Sequence, residues 1–175
     1  VVVCGFRAEQ VIAELENYEF RHNVVLNSKY AMDQNILSMY LGLQAISEDE
    51  PVIVIEADIF LDDLAMRDIY FSACENKSIW FTKGFFNQNQ YGGILRCNTD
   101  GRVLDIRIVT NYEESRKDYM KLLGVMSIGT DEIKKYKKFL EQDLKISLGN
   151  YYLKSWIENL SQLDTWAVDL SKYQV

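Results

Sequence analysis

Pro51-Val-Ile-Val-Ile-Glu-Ala-Asp-Ile-Phe60 decides how the rest of the chain reads. Four β-branched residues in succession, Val52, Ile53, Val54 and Ile55, predict a strand buried on both faces. Two carboxylates follow, Glu56 and Asp58, and then a loop. In open α/β sheets ligands bind at the carboxyl ends of the strands. An acid placed there is positioned to hold a metal that itself holds phosphate.

Upstream of this strand, Val1 to Cys4 predicts a strand and Gly5 the tight turn after it. Residues 9–16 carry Val11, Ile12 and Leu15 on one helical stripe. Residues 20–26 predict a second strand, and 35–45 a helix with Ile36, Leu37, Met39, Tyr40 and Leu43 on its apolar side. Strand, helix, strand, helix, strand in the first sixty residues implies a parallel-rich sheet with right-handed crossovers. Downstream, 78–83, 93–98 and 103–109 are short strands, the last two joined by the hairpin signal Asn98-Thr-Asp-Gly101. Residues 122–128 read as a buried strand, 131–145 and 151–160 as helices, and 166–169 as a last strand ending in an acid.

The chain has 175 residues, 48% of them hydrophobic, enough for one domain with its own core. A net charge of -7 argues against a nucleic-acid partner, which needs clustered Lys and Arg. Cys4, Cys74 and Cys97 are odd in number and have no metal-ligand spacing, so free thiols in a cytoplasmic setting are expected. No apolar stretch approaches the roughly 20 residues that span a membrane. The opening Val-Val-Val reads as the interior of a buried strand, so residues before Val1 are expected.

The order of these pieces resembles the nucleotidyltransferase family that makes activated sugars and head groups, most closely the small cytidylyltransferases of the phosphocholine type. Four segments carry the resemblance: Val1-Val-Val-Cys-Gly-Phe-Arg-Ala-Glu9; Asn27-Ser-Lys-Tyr30 with Asn35-Ile-Leu-Ser38; Val54-Ile-Glu-Ala-Asp58; and Ala167-Val-Asp169 followed by Leu170-Ser-Lys-Tyr173. Leu123-Gly-Val-Met-Ser-Ile128 fits the strand before the family's late helices. The resemblance implies an α/β, Rossmann-like three-layer (GT-A-like) fold. Its sheet would be mixed and mostly parallel, with a small antiparallel extension. It implies one domain over 1–175 that lacks the family's first strand and Gly-rich loop, expected before Val1.

The activity so implied is Mg²⁺-dependent transfer of a nucleoside monophosphate, CMP from CTP before UMP from UTP, onto a small phosphorylated metabolite. Phosphocholine, an aminoalkyl phosphonate and a sugar 1-phosphate are the acceptors in view, and a homodimer is compatible with it. Asp58 and Asp169 would be the catalytic metal ligands, brought together if their strands are parallel neighbours. Glu56 would share a face with Asp58 and sit near the nucleotide.

Asn35 and Ser38 share a helix face and either contact the nucleotide or serve as capping residues. Gly5 either lets backbone approach the nucleotide or closes a turn. Trp80, Tyr152 and Trp156, with Tyr151, either form an aromatic box for a quaternary ammonium or pack in the core. His22 reads as structural, and the basic face at Lys134, Lys135, Lys137 and Lys138 as solvated. Two other functions fit the same residues: a glycosyltransferase using a nucleotide sugar, since Glu56-Ala-Asp58 is close to an Asp-x-Asp triplet, or a noncatalytic nucleotide-binding domain.

Overall fold

The computed structural model describes residues 1–174. In chain order the elements are β1 (Val2–Cys4), α1 (Ala8–Leu15), β2 (Val24–Leu26), α2 (Ile36–Gln44), β3 (Val52–Ile55), α3 (Asp63–Cys74), β4 (Ser78–Phe85) and β5 (Gly92–Cys97). They continue with β6 (Val103–Val109), β7 (Met120–Ile128), α4 (Thr130–Leu144), α5 (Tyr152–Glu158) and β8 (Thr165–Asp169). They fall into two compact units.

One unit comprises Val1–Glu48 and Lys134–Glu158. Here β1 and β2 pair in parallel, Val2 opposite Val24 and Cys4 opposite Leu26. Helix α2 buries Ile36, Met39 and Leu43, the apolar positions its sequence periodicity selects. It lies close over β1, where a β-carbon on Gly42 would stand 3.2 Å from Val3. Tyr136 on α4 and Trp156 on α5 meet edge to face at 4.7 Å, both fully buried. The Tyr136 hydroxyl donates to the Tyr152 carbonyl at 2.8 Å, so its buried polar end is satisfied. The strand expected over 20–26 is confined to Val24–Leu26, because Arg21, His22 and Asn23 are exposed.

The other unit comprises Asp49–Ile133 and Asn159–Val175. Its six-stranded sheet runs β6-β5-β7-β4-β8, with β3 also paired to β7. Both β3 and β4 are antiparallel to β7, β8 is parallel to β4, and β5 is antiparallel to β7 and β6. Thus β3, β4, β5 and β8 point one way, and β6 and β7 the other. The sheet is mixed, with the expected antiparallel extension in the β5–β6 hairpin, but it is not mostly parallel: because β7 runs against β3, β4 and β5, only the β4–β8 pairing is parallel. Asn98 closes that hairpin: its side-chain oxygen accepts from the amides of Asp100 (3.1 Å) and Arg102 (2.8 Å). The hairpin then curls back on β8, where the Ala167 amide donates to the Gly101 carbonyl at 2.8 Å.

Two further features differ from expectation. Strand β3 is not buried on both faces: Val52, Ile53 and Val54 are half-buried and Ile55 is 42% exposed. Among the described residues β3 pairs only with β7, which puts it at an edge of its sheet, where helices cover its faces less completely than those of a central strand. Helix α3, which the sequence periodicity did not point to, packs Ala65, Ile69 and Ala73 inward. Leu64, Met66, Tyr70 and Phe71 are exposed on its outer side, which erases the apolar–polar contrast that identifies a surface helix. Asp62 caps it, accepting from the Ala65 amide at 2.7 Å. Cys4, Cys74 and Cys97 are free thiols, and no described helix is long and apolar enough to cross a membrane.

Candidate active site

The codirectional strands β3, β4 and β8 bring their carboxyl ends to one end of the sheet, with β7 interposed between β3 and β4. Asp169, the last residue of β8, lies opposite Thr82 on β4. Its Oδ1 accepts from the Thr82 hydroxyl (3.0 Å), the Gly84 amide (2.8 Å) and the Ser171 amide (3.3 Å). Its Oδ2 accepts from the Ser171 hydroxyl at 2.5 Å. Partial burial pushes the Asp169 carboxyl up, but the hydrogen bonds from Ser171, Gly84 and Thr82 outweigh it and hold the group below its usual range. The carboxylate is therefore oriented and ionised before any ligand arrives.

Asp58 lies in the turn after β3, exposed, in a loop closed by the Ile59 amide donating to the Glu56 carbonyl at 3.2 Å. Asp58 and Asp169 are thus at the same end of one sheet, but not on neighbouring strands. Two strands separate β3 from β8, and at about 4.8 Å per step their axes stand about 14 Å apart. Proximity of the two carboxylates depends on the turn that carries Asp58, not on strand adjacency.

Hard carboxylate oxygens are the donors that Mg²⁺ takes, typically one or two with phosphate and water completing the shell. Among the described residues no group of three or more His, Cys, Asp or Glu gathers into a metal site. The open, hydrogen-bonded carboxylate of Asp169 fits an ion that draws most of its ligands from phosphate and water.

Glu56 packs against β7. Its amide donates to the Gly124 carbonyl at 2.9 Å, and its carboxylate occupies the notch left by the missing side chain of Gly124. It also attracts the Lys121 ammonium. Lys121 donates to the carbonyls of Gly93 (3.2 Å) and Leu122 (3.1 Å), and burial, then the charge of Lys83, pushes it below its ordinary value.

In the other unit the polar groups singled out from sequence bond to the protein itself. The Asn35 side-chain oxygen accepts from the Tyr152 amide at 2.9 Å. The Ser38 hydroxyl donates to Asp33 at 2.8 Å and accepts from Asn27 at 3.0 Å. Asp33 also accepts from the amides of Leu37 and Ser38 at the start of α2. Asn27, which opens one of the motifs quoted from the sequence, and Asp33, which sequence reasoning missed, organise this turn. The Asx-type signal at Asn27, whose oxygen accepts from the Lys29 amide, was legible in the sequence. A β-carbon on Gly5 would stand 2.4 Å from that of Tyr30, so Gly5 makes room for this tyrosine.

The aromatic box is corrected. Trp80, Tyr152 and Trp156 are 1%, 6% and 0% exposed. Rings enclosed on all sides offer no face to a ligand cation, and Trp156 and Tyr152 instead hold Tyr136. Exposed His22 keeps Nδ1 at 3.1 Å from the Phe20 carbonyl oxygen, in line with a structural role. On α4, Lys134 and Lys137 pair with Glu48.

No protein-family model matches the chain, and no curated protein matches it. Solved structures do. CTP:phosphocholine cytidylyltransferase from Streptococcus pneumoniae is similar over 97% of this chain and 68% of its own, with 21% identity and a TM-score of 0.71. Inositol-1-phosphate CTP transferase from T. maritima is similar over 97% of this chain, 14% identical, with a TM-score of 0.72. This chain spans 65% of that protein, less than two thirds of its length. A 4-diphosphocytidyl-2C-methyl-D-erythritol synthase from Anaerococcus prevotii is similar over 99% of this chain and 70% of its own, 16% identical, with a TM-score of 0.61. The chain has the fold of the nucleotidyltransferases.

Proposed function

We propose that this chain is the catalytic domain of a Mg²⁺-dependent nucleotidyltransferase. It would move a nucleoside monophosphate, CMP from CTP before UMP from UTP, onto a small phosphorylated metabolite in the cytoplasm and release pyrophosphate. The observation that carries the proposal is the carboxylate of Asp169, oriented by four hydrogen bonds at the ligand-binding end of a sheet that resembles two CTP-using transferases. One of those relatives has phosphocholine as its acceptor and the other inositol 1-phosphate, both phosphate monoesters of small alcohols.

In this reaction an oxygen of the acceptor's phosphate attacks the α-phosphorus of the nucleotide, the bond to the bridging oxygen breaks, and that oxygen leaves with pyrophosphate. Such transfers need positioning and charge neutralisation more than covalent help. Asp169 with Asp58 would hold the ion, which would supply neutralisation of phosphate charge. Thr82, Gly84 and Ser171 keep Asp169 ionised and fixed, so little reorganisation is left for the moment of transfer. Glu56 would shape the loop that carries Asp58.

The test is pyrophosphate release by the complete coding chain with Mg²⁺, crossing CTP and UTP with phosphocholine, 2-aminoethylphosphonate and sugar 1-phosphates. Release that requires one acceptor and collapses in Asp169→Asn and Asp58→Asn is expected. No release with any pair, from a folded protein, would overturn the proposal.

A further inference from the structure

Strand β6 is an edge of its sheet: among the described residues it pairs only with β5. An unpaired edge is a template for another strand, and proteins blunt such edges with lysine, proline or very short strands. β6 has seven residues, Val103-Leu-Asp-Ile-Arg-Ile-Val109, with no lysine or proline. About Ile106 this run is chemically self-complementary. Asp105 mirrors Arg107, Leu104 mirrors Ile108, and Val103 mirrors Val109. The two charges are held in place. Arg107 Nε donates to the Asp105 carboxylate at 2.6 Å, the Tyr119 hydroxyl donates to the same oxygen, and the Arg107 guanidinium lies 5.6 Å from the Tyr119 ring centre. Both side chains still reach solvent, Arg107 being 53% and Asp105 28% exposed, and Leu104 and Ile108 are exposed as well. Just before the strand the edge is closed, because Arg102 bridges to Trp166 and pairs with Asp164 at 3.3 Å. The bulge at Leu104 leaves 105–109 in regular register with β5.

We propose that β6 pairs antiparallel with β6 of a second copy of this chain, about a two-fold axis at Ile106, joining two sheets into one. In this register Asp105 lies opposite Arg107 of the second copy, and Arg107 opposite its Asp105, with Cβ atoms about 4.5–5.5 Å apart. The two internal ion pairs thereby merge into one ring of alternating charge. Leu104 comes beside Ile108 of the second copy, and each edge satisfies the backbone donors and acceptors of the other. The charges select the register. With the axis moved one residue, to Asp105 or to Arg107, two acids or two guanidinium groups would stand face to face. An edge of one charge sign would repel a second copy, whereas this one carries one charge of each sign, placed so that the two-fold pairing satisfies both. Nothing in this pairing depends on the transferase reading. It covers a strand edge and not a broad face, so the dimer is a weak one, with a dissociation constant on the order of 10–100 μM.

The experiment is sedimentation equilibrium of the complete coding chain from about 5 μM to about 500 μM, which spans that range. Wild type is compared with Asp105→Arg, with Arg107→Asp, with an equimolar mixture of the two, and with Leu104→Lys/Ile108→Lys. Wild type should dimerise. Each charge variant alone should dimerise about tenfold more weakly or worse, since it sets like charges opposite one another. The mixture should recover wild-type association as a heterodimer, because one chain then carries both bases and the other both acids. Damage confined to the internal Asp105–Arg107 pair would not be repaired by mixing. Leu104→Lys/Ile108→Lys leaves Asp105, Arg107 and Tyr119 untouched, so it should keep the wild-type thermal midpoint and still dissociate. A monomeric wild type, variants that associate as wild type does, or a mixture no stronger than its components would overturn the pairing. Where a charge variant fails to fold, Leu104→Lys/Ile108→Lys decides alone, and its undiminished association would overturn the pairing.

Discussion

The carboxylate of Glu56 lies where a side chain on residue 124 would have to be: Oε2 is 2.6 Å from the position of a β-carbon on Gly124. Gly124 also has φ +86, a left-handed conformation that L side chains avoid. One glycine in the middle of β7 thereby seats the residue that opens the loop bearing Asp58. Gly124→Ala should destabilise the fold by about 1–3 kcal/mol, read from denaturant midpoints, through backbone strain and displacement of Glu56. Glu56→Ala placed in that variant should relieve only the overlap. Full recovery of stability in the double variant would show that the backbone carries no strain.

Asp169 is the residue on which the proposed chemistry depends. Asp169→Asn should lower pyrophosphate release on the order of 100-fold, since an amide neither holds a cation nor accepts from all four donors as strongly. Thr82→Ala removes one of those donors and should cost about 1 kcal/mol of stability with a smaller loss of rate. A rate unchanged in Asp169→Asn would detach this carboxylate from the reaction.

The same carboxylate makes stability depend on pH in a fixed direction. Its folded pKa lies below its unfolded value of about 3.9, so the unfolded chain binds its proton first as pH falls. The stabilisation is complete above that value and is lost as pH drops through the lowered folded one. Urea midpoints measured between about pH 5 and pH 2 should therefore fall less steeply in Asp169→Asn than in wild type. Equal slopes would place the acid sensitivity in other carboxylates, with Asp68 and Asp62, also held low by their hydrogen bonds, the first to examine.

How far the sequence could lead varies with the kind of residue. The apolar run Val52–Ile55 marked β3 at its true bounds, because β-branched residues in series leave few alternatives, and the short apolar run before Asp169 marked β8. The end of the sheet that carries Asp58 and Asp169 follows from that pattern alone. The donors around Asp169 did not, since Thr82 is 87 positions away and only the parallel β4–β8 pairing brings it there. Strand order was likewise hidden: nothing in the local sequence inserts β7 between β3 and β4. Tyr152 and Trp156, four apart on one helix face, carry the same spacing whether they line a ligand cage or a core, and burial alone decided between them.

The burial of Trp156 has its own consequence. Against Tyr136 and fully enclosed, it should act on stability and not on acceptor choice. Trp156→Ala should cost about 3–5 kcal/mol. Trp156→Phe should retain most of the packing and leave the acceptor KM as in wild type. A Trp156→Phe protein with normal stability but a several-fold raised KM for one acceptor would restore this ring to the binding site.

Lys121 gives the alkaline counterpart of Asp169. Burial, and after it the charge of Lys83, lower its pKa, while Glu56 pulls the other way. Between the lowered folded value and the unfolded value of about 10.4, the unfolded chain holds more protons than the folded one, so this lysine makes stability rise with pH in that window. Below the window the ammonium is charged in both states and its desolvation weighs on the fold. Lys121→Met removes that burden together with the hydrogen bonds to Gly93 and Leu122, so the two losses oppose each other at neutral pH. The discriminating quantity is the slope: toward alkaline pH wild-type stability should gain on the Met variant. Parallel curves for the two proteins would mean that the ammonium stays as well solvated in the fold as in the unfolded chain.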